Sequence, residues 1–406
     1  MTTQLTKYLG VALLISSCGG GGGDDGKIAN IRPGIEVLLQ DSVHLLEGQR
    51  VGILTNQSGI DSRSVGDIDL LLAAGVDLQA IFSPEHGFRG TLNLEHIDHS
   101  VDSATGLPIF SLYGETRSPT AEMLELVDLL LVDLQDIGAR PYTYISTAIL
   151  AMRAAALSGV RVIVADRPNP ISGITQGPRL DPQYSSFVGM LDLPQRHGMS
   201  FGEMARYANA TLDINVDLVV VPVANLTRAM WFDQLGLPWV RPSPNMPDLE
   251  SATHYPGLVL FEATNLSVGR GTNVAFQVLG APWLDAAAVR SQLGSAVGVD
   301  VADTTFVPSS PTDHKYDGEI LQGLRLKVVD RSAYDPVELA VRILWAVADI
   351  HPELEVRGAA LDSRYGNDAM RLLLENHADP EEEIESWQEL LADFASEVAP
   401  YLIYPE

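Results

Sequence analysis

The sequence has little of what disulfides, nucleic-acid binding or membrane spanning require. Cys18 is the one cysteine among 406 residues, so no internal disulfide can form. Lysine and arginine number 26 against 53 aspartates and glutamates, a formal net charge of −27. Because proteins bind nucleic acids through basic patches, this balance argues against DNA or RNA as a partner. No apolar run is long enough to cross a bilayer as a stable helix.

Several catalytic and cofactor signatures are also missing. The chain has no Gly-x-Ser-x-Gly elbow, which argues against a serine hydrolase. No GxGxxG fingerprint follows a strand, so a dinucleotide is not indicated. The histidines within 94–99 match no established ligand spacing, and His-Glu-x-x-His is absent. We therefore expect neither a metal nor any other cofactor.

The single cysteine closes a segment typical of bacterial lipoprotein signal peptides. Residues 1–18 place Lys7 before a short apolar run, and the segment ends in Ile-Ser-Ser-Cys, which resembles a lipobox. Residues 19–30 form a Gly-rich linker. We expect lipidation at Cys18 and a protein anchored to a bacterial membrane in the cell envelope, facing the periplasm or exterior. A plain secretory signal with an incidental cysteine is the alternative.

Apolar runs alternate with helical patterns through the first half of the chain. Continuous apolar strands of this kind favour a parallel sheet covered on both faces. We predict an α/β fold, with a Rossmann-like, mostly parallel sheet domain over 31–280 and a smaller α+β domain over 281–406. A proline-rich stretch at 236–257 predicts an irregular loop with a functional role. The strands of the sheet are predicted at 50–55, 78–82, 108–112, 128–133, 160–165 and 218–223.

Polar side chains follow four of these strands. Glu85 and His86 come directly after the second, within Ser-Pro-Glu-His-Gly-Phe-Arg-Gly. Because the carboxyl ends of parallel strands meet at one edge, the four clusters should form one site. The simpler alternative is that Asp and Asn at these places cap helices and form turns. The other candidates near these ends are Asn56, Arg89, Asp133, Gln135, Asp136, Arg140, Tyr142, Tyr144, Asp166 and Asn169.

Three more candidates lie further along the chain. Glu262 and Arg270 are predicted to lie in a tight, Gly-bounded turn. Arg270 could grip an anion in a bidentate manner, or it could pair with Glu262 and fix the turn. His197 precedes a predicted helix at 200 and either faces the same cleft or is an ordinary loop residue.

Eight short segments form a specific pattern between about 48 and 330, at 83–90, 111–114, 133–140, 142–144, 166–170, 186–189, 242–247 and 269–272. This pattern resembles the exo-β-N-acetylmuramidase family typified by NamZ, glycoside hydrolase family 171. The resemblance implies a Rossmann-like domain joined to a smaller domain, with the active site in the cleft between them. It also implies release of N-acetylmuramic acid (MurNAc) from the non-reducing ends of peptidoglycan fragments such as MurNAc-GlcNAc.

Glycoside hydrolysis usually needs two carboxyl groups, one of them a general acid. Glu85 is our candidate for the acid/base role, and His86 would orient it or contact the sugar. The second carboxylate stays open among Asp133, Asp136 and Glu262. MurNAc carries a lactyl carboxylate, for which we expect an arginine from the set Arg89, Arg140 and Arg270.

Tyr142 and Tyr144 could stack on the sugar ring. The remaining expected substrate-binding residues are Asn56, Asp133, Gln135, Asp166, Asn169 and His197. Two other functions stay open: a lipoprotein that binds cell-wall sugars without cleaving them, and an esterase or amidase acting on cell-wall material. The oligomeric state is not predicted.

Overall fold

The computed structural model describes residues 30–92, 94 and 96–406. The predicted signal peptide, Cys18 and the linker up to residue 29 lie outside the described residues. In the described ranges no helix combines the length and apolarity needed to cross a bilayer.

Twelve strands occur in the described part of the chain, in one large sheet and two small ones. In chain order they are β1 Arg50–Thr55, β2 Asp77–Ser83, β3 Ser100–Val101, β4 Pro108–Ser111, β5 Leu129–Asp133, β6 Arg161–Ala165, β7 Gln176–Arg179, β8 Pro194–Arg196, β9 Leu218–Val221, β10 Val278–Ala281, β11 Val299–Phe306 and β12 Leu321–Val328.

The large sheet has the order β3-β4-β2-β1-β5-β6-β9. Its neighbours pair in parallel, except that the two-residue edge strand β3 runs antiparallel to β4. The order reverses at β1, with β2 and β4 on one side and β5, β6 and β9 on the other. A crevice at the carboxyl ends of the strands beside such a reversal is where ligands bind in α/β sheets.

Helices cover both faces of this sheet because successive side chains of the apolar strands point to opposite sides. Leu129 and Leu131 pack in the core that contains α1 and α2, whereas Leu130 and Val132 pack in the core that contains α4 and α5. The α-helices are α1 Gly34–Asp41, α2 Asp67–Ala73, α3 Ala121–Leu124, α4 Tyr144–Ser158, α5 Phe201–Thr211, α6 Leu249–Leu258, α7 Ala286–Leu293, α8 Pro336–Ile350, α9 Gly358–Tyr365, α10 Ala369–Asn376 and α11 Pro380–Val398.

A second unit is built on the antiparallel sheet β10-β12-β11 and on α6 to α11. Helices α6 and α8 pack against each other in its core. Its first strand, β10, pairs with β12, so the predicted boundary at 280/281 falls inside a strand of this unit. We call the part built on the large sheet the first unit.

The chain returns to the first unit after α11. Tyr404 joins a small core with Val223 and Phe232, and its hydroxyl donates to the Asp166 carboxylate. The amide of Ile403 donates to Oε1 of Glu203 at 2.8 Å. We call residues 399–406 the closing segment, because these contacts tie the second unit to the β6–β9 edge of the large sheet.

The predicted fold class is confirmed: a mostly parallel sheet unit carries a smaller unit with its own sheet. The six predicted strands of the main sheet are present to within two residues at each end. The irregular loop predicted over 236–257 is wrong in its second half, where α6 begins at Leu249.

Candidate active site

One cavity of about 570 Å³ opens between the two units. Its size is typical of a site for a small organic ligand. The first unit contributes wall residues that include Glu85, His86, Tyr113, Arg117, Tyr142, Thr143, Tyr144, Ser186 and Phe187. The second unit contributes Tyr255, Glu262, Arg270, Phe276, Thr312, Asp313, Arg357, Ser363 and Arg364.

Glu85 reaches this wall from the turn that follows β2. The amide of Gly87 donates to the carbonyl of Pro84 at 3.1 Å, and His86 and Gly87 are both left-handed, with φ of 71° and 72°. Two consecutive residues in this region turn the chain sharply. The hydroxyl of Thr143 donates to Oε2 of Glu85 at 2.6 Å. The carboxyl group is therefore oriented by a neutral hydroxyl and leaves its other oxygen, Oε1, for a ligand.

His86 beside it is a neutral ring with a defined tautomer. Burial lowers the pKa of His86, despite the neighbouring Glu85 carboxylate. Its Nδ1 lies 2.8 Å from the carbonyl oxygen of Leu92. Because a carbonyl only accepts, Nδ1 carries the proton and Nε2 is left as an acceptor, suited to a sugar hydroxyl.

Glu262 is the second carboxylate on the wall, and it is held in its charged form. Nε of Arg270 donates to Oε1 of Glu262 at 2.7 Å, and Nε of Arg364 lies 3.8 Å from Oε2. Burial opposes ionisation, but Arg270 and Arg364 together keep the pKa of Glu262 below its usual range. The ion pair that the sequence offered as an alternative thus exists, and it lies inside the cavity.

Tyr142 and Tyr144 form the floor of the cavity at the start of α4. Their ring centroids are 4.7 Å apart at an interplanar angle of 65°, and Tyr142 also packs edge-on against Tyr255. The hydroxyl of Tyr144 donates to the carbonyl of Pro242 in the proline-rich loop. Because Tyr142 is 6% exposed and Tyr144 is 1% exposed, little ring surface is open to a sugar.

Most of the other strand-end candidates are buried and do not line the cavity. They do meet at one edge of the sheet, but their polar atoms bind protein groups. Asp133 forms a buried ion pair with Arg167, and burial raises the pKa of Asp133 against the effect of that arginine. We call this set the buried polar layer; its members are Asn56, Asp133, Gln135, Asp136, Asp166, Asn169 and His197.

The bonding within this layer is largely that of turns and caps. Asn56 Oδ1 accepts from the Ser58 amide at 2.9 Å, and Asn169 Oδ1 accepts from the Ile171 amide at 3.0 Å. The side-chain amide of Gln135 donates to two backbone carbonyls. Asp166 accepts from the amide of Gly202 in the first turn of α5, and burial raises the pKa of Asp166 to about 6. These contacts fit the capping alternative.

Asp136 and His197 form a buried pair within the same layer. The amide of Met199 donates to Nδ1 of His197 at 3.1 Å, so Nε2 carries the proton and donates to Oδ2 of Asp136 at 3.1 Å. The amide of Gly138 also donates to this oxygen. Oδ1 of Asp136 is buried without a hydrogen-bond partner. The pair lies behind the wall rather than on it.

Two arginines expected to bind the lactyl group point elsewhere. Arg89 is exposed, stacks 4.7 Å from the Phe88 ring and pairs with Asp102 at 2.9 Å. Arg140 is 1% exposed and donates to Gln195 and to three backbone carbonyls, one of them that of Arg364. Burial lowers the pKa of Arg140 to about 9. Neither guanidinium lines the cavity.

The cavity also contains residues that the sequence analysis did not single out, chiefly Thr143, Arg117, Phe187, Asp313 and Arg364. Arg117 follows β4 at the same sheet edge, so the strand-end argument could have found it. Asp313 and Arg364 come from the second unit, and nothing local in the sequence ties them to Glu85. In the described part of the chain no three His, Cys, Asp or Glu side chains are grouped to hold a metal ion.

Known proteins share this architecture over nearly the whole chain. The N-terminal domain of the exo-β-N-acetylmuramidase NamZ matches residues 51–250, and its C-terminal domain matches residues 253–404. The peptidoglycan β-N-acetylmuramidase NamZ of Bacillus subtilis strain 168 is 39% identical over 385 residues, which cover 93% of this chain and 92% of the relative.

Two crystal structures of DUF1343 family proteins from Bacteroides fragilis have the same fold. One is 34% identical with a TM-score of 0.86, covering 92% of this chain and 99% of the other. The second is 29% identical with a TM-score of 0.72, covering 93% of this chain and 100% of the other. With both domains matched in order, the chain belongs to the exo-β-N-acetylmuramidase NamZ family.

Proposed function

We propose that the protein is an exo-acting β-N-acetylmuramidase that releases MurNAc from the non-reducing ends of peptidoglycan fragments, with Glu85 as its proton donor. Family membership and the B. subtilis hydrolase support the glycosidase activity. The position of Glu85 on the wall of the inter-unit cavity, oriented by Thr143, is the observation that supports its role.

In the proposed reaction Glu85 protonates the glycosidic oxygen as the bond from C1 to that oxygen breaks. Water then adds a hydroxyl to C1, and its other proton restores the acid. His86 accepts a hydrogen bond from the sugar through Nε2. The two carboxyl groups have different surroundings, which suit different roles. Glu85 contacts a neutral hydroxyl and acts as the acid, whereas Glu262 contacts two guanidinium groups and supplies the negative charge.

Glu262 is the better candidate for the second carboxylate. It lines the cavity and is held ionised, so it can stabilise the positive charge that develops at C1. Asp133 and Asp136 belong to the buried polar layer and do not reach the wall.

Glu85→Gln tests the assignment of the acid. We expect kcat for MurNAc-GlcNAc to fall by roughly 10²- to 10⁴-fold, the usual contribution of a general acid. A MurNAc glycoside with a nitrophenol leaving group should lose less, because that group departs with little help from a proton. Product analysis and initial rates on both substrates measure the difference.

Glu47→Gln is the matched control, because Glu47 is an exposed glutamate outside the cavity. An equal thermal midpoint for both variants shows that the fold is intact. Unchanged turnover in Glu85→Gln removes Glu85 from the mechanism. Binding of MurNAc-GlcNAc without any product from the unaltered protein contradicts the hydrolase and supports a sugar-binding lipoprotein.

We also propose that the protein is anchored to a bacterial membrane through a lipid on Cys18. The support is the lipobox-like Ile-Ser-Ser-Cys sequence and the Gly-rich linker after it. Cys18→Ser should move the protein from the membrane fraction to the soluble fraction of the envelope. The measurement is immunoblotting of both fractions, and a variant that stays with the membrane contradicts the anchor.

A further inference from the structure

The substrate of the proposed reaction is an anion, whereas the protein has a net charge of −27. A local excess of positive charge must therefore attract it. The cavity wall provides that excess in its described residues: four arginines, Arg117, Arg270, Arg357 and Arg364, against three carboxylates, Glu85, Glu262 and Asp313.

Three of these arginines are occupied by the protein itself. Arg270 and Arg364 share the Glu262 carboxylate, and Arg357 donates to the backbone carbonyl of the same residue. Arg270 and Arg364 thus compensate the charge of Glu262, and Arg357 holds the backbone of the short helix Val259–Ala263. A ligand would have to compete with these contacts.

Within the described residues, Arg117 is the arginine of the wall that neither pairs with a carboxylate nor donates a hydrogen bond to the protein; its contacts are with two aromatic rings. Its guanidinium lies 4.2 Å from the ring centroid of Phe187 and 5.6 Å from that of Tyr113. When a guanidinium stacks on an aromatic face, its N–H groups lie in the guanidinium plane and can still donate to other groups. These are the donors that bind a carboxylate in a bidentate manner.

The loop that carries Arg117 is held in place on both sides of it. The hydroxyl of Thr116 donates to the carbonyl of Ser118 at 2.6 Å, and the hydroxyl of Ser118 donates to the carbonyl of Leu150 in α4 at 3.2 Å. Phe187 comes from a separate loop, which a bridge between Ser186 and Gly189 closes. These bonds hold the two loops from which Arg117 and Phe187 project.

We propose that Arg117 binds the free lactyl carboxylate of MurNAc and so determines the specificity of the site. This inference rests on the proposed function, because it takes MurNAc as the ligand. The group that Arg117 binds is the free carboxylate. GlcNAc lacks this group, and in MurNAc it becomes an amide when a stem peptide is attached.

The test compares a MurNAc glycoside with its lactyl methyl ester, which keeps the shape and lacks the charge. We expect the unaltered enzyme to prefer the acid, and Arg117→Gln to lose roughly 10- to 100-fold in kcat/KM on the acid alone, mainly through KM. Arg117→Lys should retain part of the preference, since lysine keeps the positive charge but lacks the paired N–H donors of a guanidinium. An equal loss on acid and ester, or an unchanged ratio, overturns the proposal.

Arg331→Gln is the matched control, because Arg331 also stacks on an aromatic ring, 4.7 Å from Trp231, and lies outside the cavity. Its acid-to-ester ratio should equal that of the unaltered enzyme. If the unaltered protein cleaves neither substrate, the proposed function fails, and calorimetric binding of free MurNAc and its methyl ester still tests Arg117. Loss of discrimination in Arg117→Gln then supports the carboxylate contact, and unchanged discrimination overturns it.

Discussion

At the scale of single residues, the charge state of Glu262 depends on Arg270. The two side chains are 14% and 19% exposed, so the pair is largely removed from water. Removing one partner of such a pair leaves an uncompensated charge, which costs more than the pair itself contributes. Arg364 at 3.8 Å is too distant to replace a direct hydrogen bond.

We predict that Arg270→Gln lowers the free energy of unfolding by about 2–4 kcal/mol at pH 7. In the unaltered protein the pKa of Glu262 is depressed, so its contribution to stability is present above the unfolded pKa and is lost as the pH falls through the folded pKa. In the variant, burial raises the pKa of Glu262 and the sign reverses. The difference between the two proteins should therefore shrink between pH 7 and pH 4.5, as measured by urea titration.

The double variant Arg270→Gln/Glu262→Gln provides the control for this prediction. It removes the charge together with its partner, so it should regain part of the stability at pH 7. A single variant whose deficit stays constant from pH 7 to pH 4.5 contradicts the assignment of the effect to Glu262.

The same residues show how far a sequence argument reaches. The position of Glu85 and His86 after a strand was sufficient to place them in the cavity, because strand ends meet at one edge. That argument could not separate them from Asp133 or Asp166, which emerge at the same edge. Asp133 and Asp166 are more deeply buried than Glu85 and His86. Their carboxylates accept from arginine, hydroxyl or backbone donors that lie far away in the sequence, so the sequence does not show this burial.

At the scale of elements, α6 is where local signals and structure disagree. Its sequence includes Pro256, which removes a backbone donor, and the preceding stretch is rich in proline. The helix forms because Asp248 caps it, with Oδ1 accepting from the Ser251 amide at 2.9 Å, and because it packs on α8. Tertiary packing therefore overrides a weak local propensity.

The contact between α6 and α8 requires a glycine. We predict that Gly257→Ala lowers the free energy of unfolding by about 1–3 kcal/mol, although alanine favours helices. A Cβ at this position would overlap the carbonyl oxygen of Pro336 and lie 2.9 Å from Cβ of Ala340. The two helices must then move apart, and the short helix Val259–Ala263 that carries Glu262 moves with them. Urea midpoints and kcat/KM on MurNAc-GlcNAc measure both effects.

Gly66→Ala is a suitable comparison, because Gly66 has an extended backbone and its nearest atom to a new Cβ is 3.9 Å away. Its stability should change by less than about 0.5 kcal/mol. Equal stability of Gly257→Ala and the unaltered protein contradicts the requirement for a close contact.

At the scale of the whole molecule, the class of fold follows from the alternation of apolar strands with helices, and the division into two units does not. The family domains divide between 250 and 253, N-terminal to the predicted boundary, and β10 pairs within the second unit. The chain enters the second unit at α6 without a polar or glycine-rich linker before it. The boundary between the units is the point where the chain stops packing on the large sheet and starts packing on the small one. The amino-acid composition has no linker signal at that point, so it does not reveal the boundary.

The cavity between the two units is also a property of the whole molecule. Glu85 and Glu262 are separated by most of the first unit in the chain, and they face one cavity only when both units are assembled. Arginines of the second unit hold Glu262 charged, and a threonine of the first orients Glu85. Neither unit contains the complete arrangement.

The closing segment has a consequence for synthesis. Glu203 receives the amide of Ile403, a residue made 200 positions later. At about 5–20 residues per second, the ribosome needs on the order of 10–40 seconds to supply that partner. Until then the buried carboxylates of Glu203 and Asp166 lack donors that the finished fold provides. The β6–β9 edge can therefore reach its final form only after translation has nearly ended.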